Sequence, residues 1–265
     1  METITSAQNP KIKNLLLLQE KSRARREQGL FVVEGRRELE HCLGAGYTVR
    51  TLFICPEIAG GLTEAICDTI PSAVKPLVIE IPEQLYRKVA YRESTEGIIA
   101  EVEYKSLKLE DLKLPENPLV MVLESVEKPG NLGAVLRSAD AAGVDAVIFC
   151  DPLTDLYNPN LIRASIGAIF TVPTVAASSE ETIAFLKARG IQILTAQLQD
   201  SSLYYDVDMR RGTALVMGTE ATGLTGLWRQ AASAHIRIPM LGRLDSLNVS
   251  VSAAILLFEA VRQRQ

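Results

Sequence analysis

The stretch Leu123–Gly143, LESVEKPGNLGAVLRSADAAG, opens as the end of an apolar strand and closes as a helix of small and apolar residues. A Pro-Gly-Asn turn stands between them. A strand that passes through a tight turn into a helix is the unit from which parallel α/β sheets are built. Gly130 reads as supplying a backbone conformation closed to other residues, and Asn131 as the cap of a helix that starts at Leu132. Arg137 is the unusual residue. Gly133 and Ala134 lie on its face of the helix, so the long side chain can pass over them toward the turn. The bland alternative is an i,i+3 pair with Asp140 on a wet face.

Working outward, LVMVLESV, DAVIFCD, GIQILTA and TALVMG are short apolar runs bounded by Gly, Pro or Asp. The helical segments LGAVLRSADAAG, SEETIAFLKARG and LNVSVSAAILLFEAVRQR separate or follow them. Strands apolar on both faces that alternate with helices predict a largely parallel sheet covered on both sides. Ligands in such sheets bind outside the carboxyl ends of the strands, which points to the loops after Ser125, Met217 and Ile238. Residues 118–265 therefore read as one α/β domain. Residues 1–105 read as a smaller one, with strands LFVVEG, VRTLFIC, PLVIEI and GIIAEVEY. Its first helix is expected to run from Pro10, capped by Asn9, through KIKNLLLLQEKSRARRE to Gly29. The charged segment 106–117, closed by prolines, reads as a linker.

The 265 residues carry four scattered cysteines, Cys42, Cys55, Cys67 and Cys150, and two histidines, His41 and His235. Without a CxxC pair or a His cluster these read as reduced core thiols, and no metal is expected. No apolar run reaches the roughly 18 residues of a membrane span, and METITSAQNPKIK lacks a signal peptide's apolar core, so the expected place is the cytoplasm. The net charge of −4 argues against nucleic acid, yet Lys11, Lys13, Lys21, Arg23, Arg25, Arg26, Arg36 and Arg37 crowd one short stretch. Such a run is either a solvated face or a phosphate-binding one.

In the second loop, LVMGTEATGL, Gly218 and Gly223 bracket Glu220 ahead of a helix near Leu224. In the third, Ser246, Asn248 and Ser250 crowd the start of a helix that is small or apolar almost all round and so must be buried. Ser246 can be a cap; Asn248 and Ser250 exceed what capping requires. A dinucleotide site is a competing reading, since Asp151 follows at the right distance, but G-x-G-x-x-G is absent.

In this order and spacing, NLGAVLRSADAAG, VMGTEATGL and IPMLGRLDSLNVSVSAAI resemble the three motifs of the SpoU (TrmH) family of RNA ribose methyltransferases, within the SPOUT class. NPNLIRASIGAIFTVP extends the likeness, and ITSAQNPKIKNLLLL, FVVEGRRELE and GIIAEVE resemble that family's ribosomal-protein-like RNA-binding domain. Ala221-Thr222 departs from the pattern, where many members have a glycine after the glutamate. The resemblance implies a parallel-sheet catalytic domain with a trefoil knot that binds S-adenosylmethionine. It implies cofactor contacts at Met217, Gly218, Ile238, Met240, Leu247 and Asn248. Asn131, Arg137, Glu220, Ser246 and Asn248 are the implied catalytic residues, acting on a ribose 2′-hydroxyl. Since a guanidinium scarcely deprotonates, Arg137 is read as holding phosphate and stabilising the attacking oxygen. RNA contacts are expected at Lys13, Arg23, Arg25, Arg26, Arg36, Arg37 and Arg163, and a homodimer through the last helix. Ribosomal RNA is the expected substrate. The alternatives are transfer RNA, or a non-catalytic RNA-binding or ribosome-assembly protein of the same fold.

Overall fold

The computed structural model describes residues 2–61, 70, 75–91, 96–219 and 222–265. The chain divides into two compact units, Met1–Lys105 with Tyr157–Thr171, and Ser106–Leu156 with Val172–Gln265.

The first unit holds β1 (Glu2–Thr3), β2 (Leu30–Glu34), β3 (Val49–Ile54), β4 (Leu77–Glu80) and β5 (Ile98–Glu103) in a sheet of order β1-β4-β3-β5-β2. β5 runs antiparallel to β2 and β3, while β1, β3 and β4 are parallel. Asn9 caps the helix Pro10–Glu20 as expected, accepting from the Lys11 amide at 2.9 Å. The helix buries Ile12, Leu15 and Leu18 in a core with Phe53, Ile79 and Tyr86.

The expected single helix is in fact two. The chain turns extended at Lys21 and restarts as Ser22–Gln28, ending at Gly29 with φ 63°. The physical reason is Arg25. Its guanidinium folds back to the carbonyls of Leu18 (2.7 Å) and Gln19 (3.1 Å), which the end of the first helix leaves open. A helix unbroken at Lys21 would carry Arg25 onward along the axis, away from both.

Two boundaries also differ from expectation. The segment Tyr157–Thr171 groups with the first unit although it lies within 118–265, because its aromatic residues pack there. The Tyr157 ring stacks on Phe31 at 4.2 Å between centroids, its hydroxyl donates to the Lys105 carbonyl at 2.6 Å, and Phe170 meets Tyr47 edge-on. The expected linker 106–117 groups with the second unit, where Leu109 and Leu112 are buried in the core and Leu107 and Leu114 pack against it. Its charges hide four leucines that pack into or against that core.

The second unit is a seven-stranded, wholly parallel sheet of order β10-β12-β9-β11-β6-β7-β8. Its strands are β6 (Leu119–Glu124), β7 (Ala146–Cys150), β8 (Thr174–Ala177), β9 (Gln192–Ala196), β10 (Ser202–Leu203), β11 (Thr213–Met217) and β12 (Ala234–Arg237). Every residue of β6, β7 and β11 is buried, as expected of strands covered on both faces. The helices Pro129–Ala141 and Val249–Arg264 pack on one another, and Trp228 fills the core from the helix Gly226–Ala231. No helix among the described residues is long and apolar enough to cross a membrane.

The turn after β6 is built differently from the reading above. The helix begins at Pro129, which has no amide hydrogen to satisfy, so Gly130 and Asn131 lie in its first turn rather than before it. Gly130 has no positive φ; the left-handed residue is Ser125, at 51°.

Candidate active site

β9, β11 and β12 lie side by side near one end of the sheet, and their carboxyl ends open into a cavity of about 350 Å³. Met217, Gly218, Ile238, Met240 and Leu247, five of the six residues expected around a cofactor, line it, as does Ser246. Asn131, Arg137 and Asn248 stand outside that lining, and Glu220 lies outside the described residues.

The loop after β11 folds back on itself. Thr219 and Gly223 form an isolated antiparallel bridge, with the Gly223 amide donating to Thr219 O at 3.0 Å. The Thr222 amide donates to Thr219 Oγ1 at 3.0 Å. Gly218 is required by this fold-back. A Cβ there would stand 2.2 Å from Gly223 O and 2.6 Å from the Leu224 nitrogen, so no side chain fits without parting the loop. The close approach that the sequence assigned to a ligand is thus first an approach of the chain to itself.

The far end of the same loop is anchored by a residue that the sequence reading passed over. Glu124, the last residue of β6, is buried and accepts from the Thr225 amide (2.8 Å) and hydroxyl (2.7 Å), just ahead of the helix Gly226–Ala231. Ser179 joins the network, donating to Asp151 at 2.6 Å and accepting from Trp228 Nε1 at 3.0 Å. The signal was available as a lone carboxylate closing an apolar strand. Beside it Cys150 is buried, its thiol within 3.2 Å of Thr182 Oγ1, and burial pushes its pKa up to about 12. It is an inert core thiol.

In the third loop Asn248 is the helix cap. Its Oδ1 accepts from the Ser250 amide (3.0 Å) and hydroxyl (2.6 Å), so capping consumes both residues that had seemed in excess of it, and not Ser246. The Asn248 side-chain nitrogen also donates to Asn131 Oδ1 at 3.1 Å, tying together the first turns of the two packed helices. Ser246 lies next to the carboxylate of Asp245, its hydroxyl 3.4 Å away. Arg137 is exposed, and among the described residues no hydrogen bond or ion pair holds it; the alternative pair with Asp140 is not formed.

The expected RNA-contacting cations of the first unit separate into classes. Arg25 is 2% exposed and bonded to two carbonyls, so it cannot reach a phosphate, and that expectation is corrected. Arg23 pairs with Glu27 and Arg36 with Glu40, each at 2.6 Å on a helix surface. Arg163 is exposed beside the Tyr91 ring, 5.4 Å from its centroid, and donates to Asn160. Lys13, Arg26 and Arg37 are exposed and free of such partners among the described residues.

Comparison with known proteins agrees with the motifs. Residues 118–258 match the SpoU rRNA Methylase family, and residues 9–100 match an MRM3-like substrate binding domain. The 23S rRNA (guanosine-2'-O-)-methyltransferase RlmB of Bordetella pertussis is 41% identical over 72% of this chain and 79% of its own. The crystal structure of an RNA 2'-O ribose methyltransferase is 38% identical, with a TM-score of 0.84 over 99% of both chains. An AdoMet-bound rRNA methyltransferase from Sinorhizobium meliloti is 31% identical, with a TM-score of 0.90 over 98% of this chain and 97% of that one. With its family match spanning more than half of its length, and its parallel sheet and motif loops arranged as described, the chain belongs to the SpoU rRNA methylase family.

Proposed function

We propose that this protein transfers a methyl group from S-adenosylmethionine to a ribose 2′-hydroxyl of ribosomal RNA. The observation that carries this reading is the cavity at the ends of β9, β11 and β12, whose lining contains Met217, Gly218, Ile238, Met240 and Leu247. Its volume lies within the range of small-molecule sites. The donor set fits an adenosyl group: aliphatic side chains from Leu224, Ile236, Ile238 and Leu256, the carboxylate of Asp245, and the buried amide oxygen of Gln197. When bound, S-adenosylmethionine supplies an electrophilic methyl group.

The chain supplies positioning and charge. Gly218, Leu224 and the segment from Ile238 to Leu247 hold the cofactor, and Glu220 is kept as a catalytic residue. Arg137 acts by binding the phosphate next to the target ribose and by stabilising negative charge on the attacking oxygen. Ser246 orients the substrate, and the Asn131–Asn248 bond fixes the helix ends on either side. Lys13, Arg26, Arg37 and Arg163 offer phosphate contacts. Arg23 and Arg36 join them by exchanging weak surface pairs.

In this reading residues 1–105 bind RNA, residues 118–265 carry the knotted methyltransferase fold, and the working unit is a homodimer. Val251 and Phe258, each about half exposed on a mostly apolar last helix, support that interface. So does Arg137, which is exposed and stands outside the cavity of its own chain, where it can serve the pocket of a second copy. Ribosomal RNA is favoured over transfer RNA by the relatives named above, and that substrate gives the cytoplasm as the place of action.

The test is complementation. Arg137→Ala and Gly218→Val homodimers are each expected to be nearly inactive on ribosomal RNA fragments, while mixed dimers recover activity because one of their two sites keeps both parts. Mapping 2′-O-methylated nucleotides in ribosomal and transfer RNA, with and without the gene, identifies the substrate. Loss of a mark from transfer RNA alone overturns the ribosomal assignment. Loss of none supports the non-catalytic alternative.

A further inference from the structure

Gln197 follows β9 at its carboxyl end and lines the cavity together with Ile236 and Ile238. Its backbone amide donates to the Ile236 carbonyl at 3.0 Å, which extends the β9–β12 pairing by one residue and fixes where the side chain departs. The side-chain amide is held from one side only, Nε2 donating to the Gln199 carbonyl at 2.9 Å. That bond decides which way round the amide lies, since a flipped group would set two carbonyl oxygens against each other. Oε1 is thereby committed to the other side. It is buried and has no hydrogen-bond partner, the one side-chain nitrogen or oxygen in that state among the described residues.

A buried amide oxygen without a donor is costly, and native folds seldom keep one without a use. Its place in the wall of a ligand-sized cavity supplies the use. We infer that Gln197 is a cofactor-recognition residue, its Oε1 accepting a hydrogen bond from the exocyclic amino group of the adenine ring. The inference rests on the cavity being the S-adenosylmethionine site.

The surroundings select adenine from among the cofactor's donors. A flat heterocycle with one N–H to satisfy suits a wall of Met217, Leu224, Ile236, Ile238 and Leu256. The charged α-ammonium is drawn instead to the carboxylate of Asp245, also in the lining. Because Nε2 is already engaged, Gln197 presents an acceptor alone. It therefore favours a 6-amino purine and opposes a 6-oxo purine, whose oxygen would meet Oε1 with no proton between them.

Titration calorimetry on the full-length protein tests this with three ligands: S-adenosylhomocysteine, its analogue with hydrogen in place of the 6-amino group, and its hypoxanthine counterpart. The wild-type protein should bind S-adenosylhomocysteine about tenfold more tightly than the 6-hydrogen analogue, and the hypoxanthine form most weakly. Gln197→Met, close in size but without an acceptor, should bring the first two within about twofold of each other, with an unchanged Tm. Loss of packing alone would weaken both ligands and leave their ratio intact, so a ratio that survives in the variant overturns the inference. A wild-type protein that binds all three equally overturns it without any variant. If the wild type binds none of the three, the cofactor reading of the cavity fails, and this inference with it.

Discussion

The two units treat their cations in opposite ways. In the first, much of the basic stretch is answered locally: Lys11 by Glu2, Arg23 by Glu27, Arg36 by Glu40, and Arg25 by the carbonyls of Leu18 and Gln19. In the second, Arg137 stands exposed on a helix of small residues with no partner among the described residues. A charge count ranks the first stretch as the more interesting. Contacts reverse that order, because an exposed i,i+4 pair is worth only a few tenths of a kcal/mol and a guanidinium with no pair has its whole interaction still to make. Arg25 differs again. Its two bonds are buried, so it belongs to the fold.

The largest expected effect breaks the second unit's side of this contrast. Gly218→Val should abolish S-adenosylhomocysteine binding by calorimetry and lower Tm as well, because its side chain must part the Gly218–Leu224 loop; overpacking of this kind costs roughly 1–3 kcal/mol. Gly218→Ala should do the same more mildly. A folded valine variant with unchanged affinity would detach this loop from the site. Arg137→Ala should reduce methyl transfer by about 10²–10³-fold, as removal of a charge-stabilising donor does, and should leave Tm in place.

Arg25→Met sharpens the contrast from the other side. It leaves two buried carbonyls without a donor, at about 1–3 kcal/mol, and should lower Tm by several degrees. RNA affinity, measured well below the new Tm, should hardly change. Arg26→Ala should do the reverse, leaving Tm unchanged and lowering the slope of log affinity against log salt by about one unit. If Arg25→Met alters the salt slope and Arg26→Ala does not, the division of the basic stretch into structural and contacting residues is wrong.

The same contrast explains what could be read in advance. The parallel sheet was legible because burial on both faces writes itself into each strand as an unbroken apolar run, as in Leu119–Glu124 and Thr213–Met217. The loops of the cavity were legible from the strand-end rule, and the residues within them from the resemblance of their motifs to a known family. The start of the helix at Pro129 was misplaced although local rules favour proline in that position, because the glycine and asparagine after it looked like the turn itself. The transfer of Tyr157–Thr171 to the first unit depends on partners far away in sequence, the rings of Phe31 and Tyr47 among them. No window of residues contains that information. The orphaned oxygen of Gln197 is further still from the sequence, since it exists only once the Gln199 carbonyl has taken the amide nitrogen.

The smallest effect concerns a carboxylate beneath the basic helices. Glu101, in β5, is buried and receives a long hydrogen bond from Asn14 on the helix Pro10–Glu20. Burial raises its pKa above the ordinary glutamate value, more than the hydrogen bonds from Thr51 and Asn14 lower it. A folded-state pKa that is raised means the fold prefers the neutral acid. The associated stability is fully present below the unfolded pKa and is lost as pH rises through the folded one. Glu101→Gln keeps the shape and the acceptor for Asn14 without a charge to bury. It should therefore be more stable than the wild type at pH 7, with the two converging below about pH 4. Denaturant unfolding across that range reads the difference directly. A variant less stable than the wild type at neutral pH would mean that the carboxylate is held charged, and that the positive helices above it, not its burial, dominate its environment.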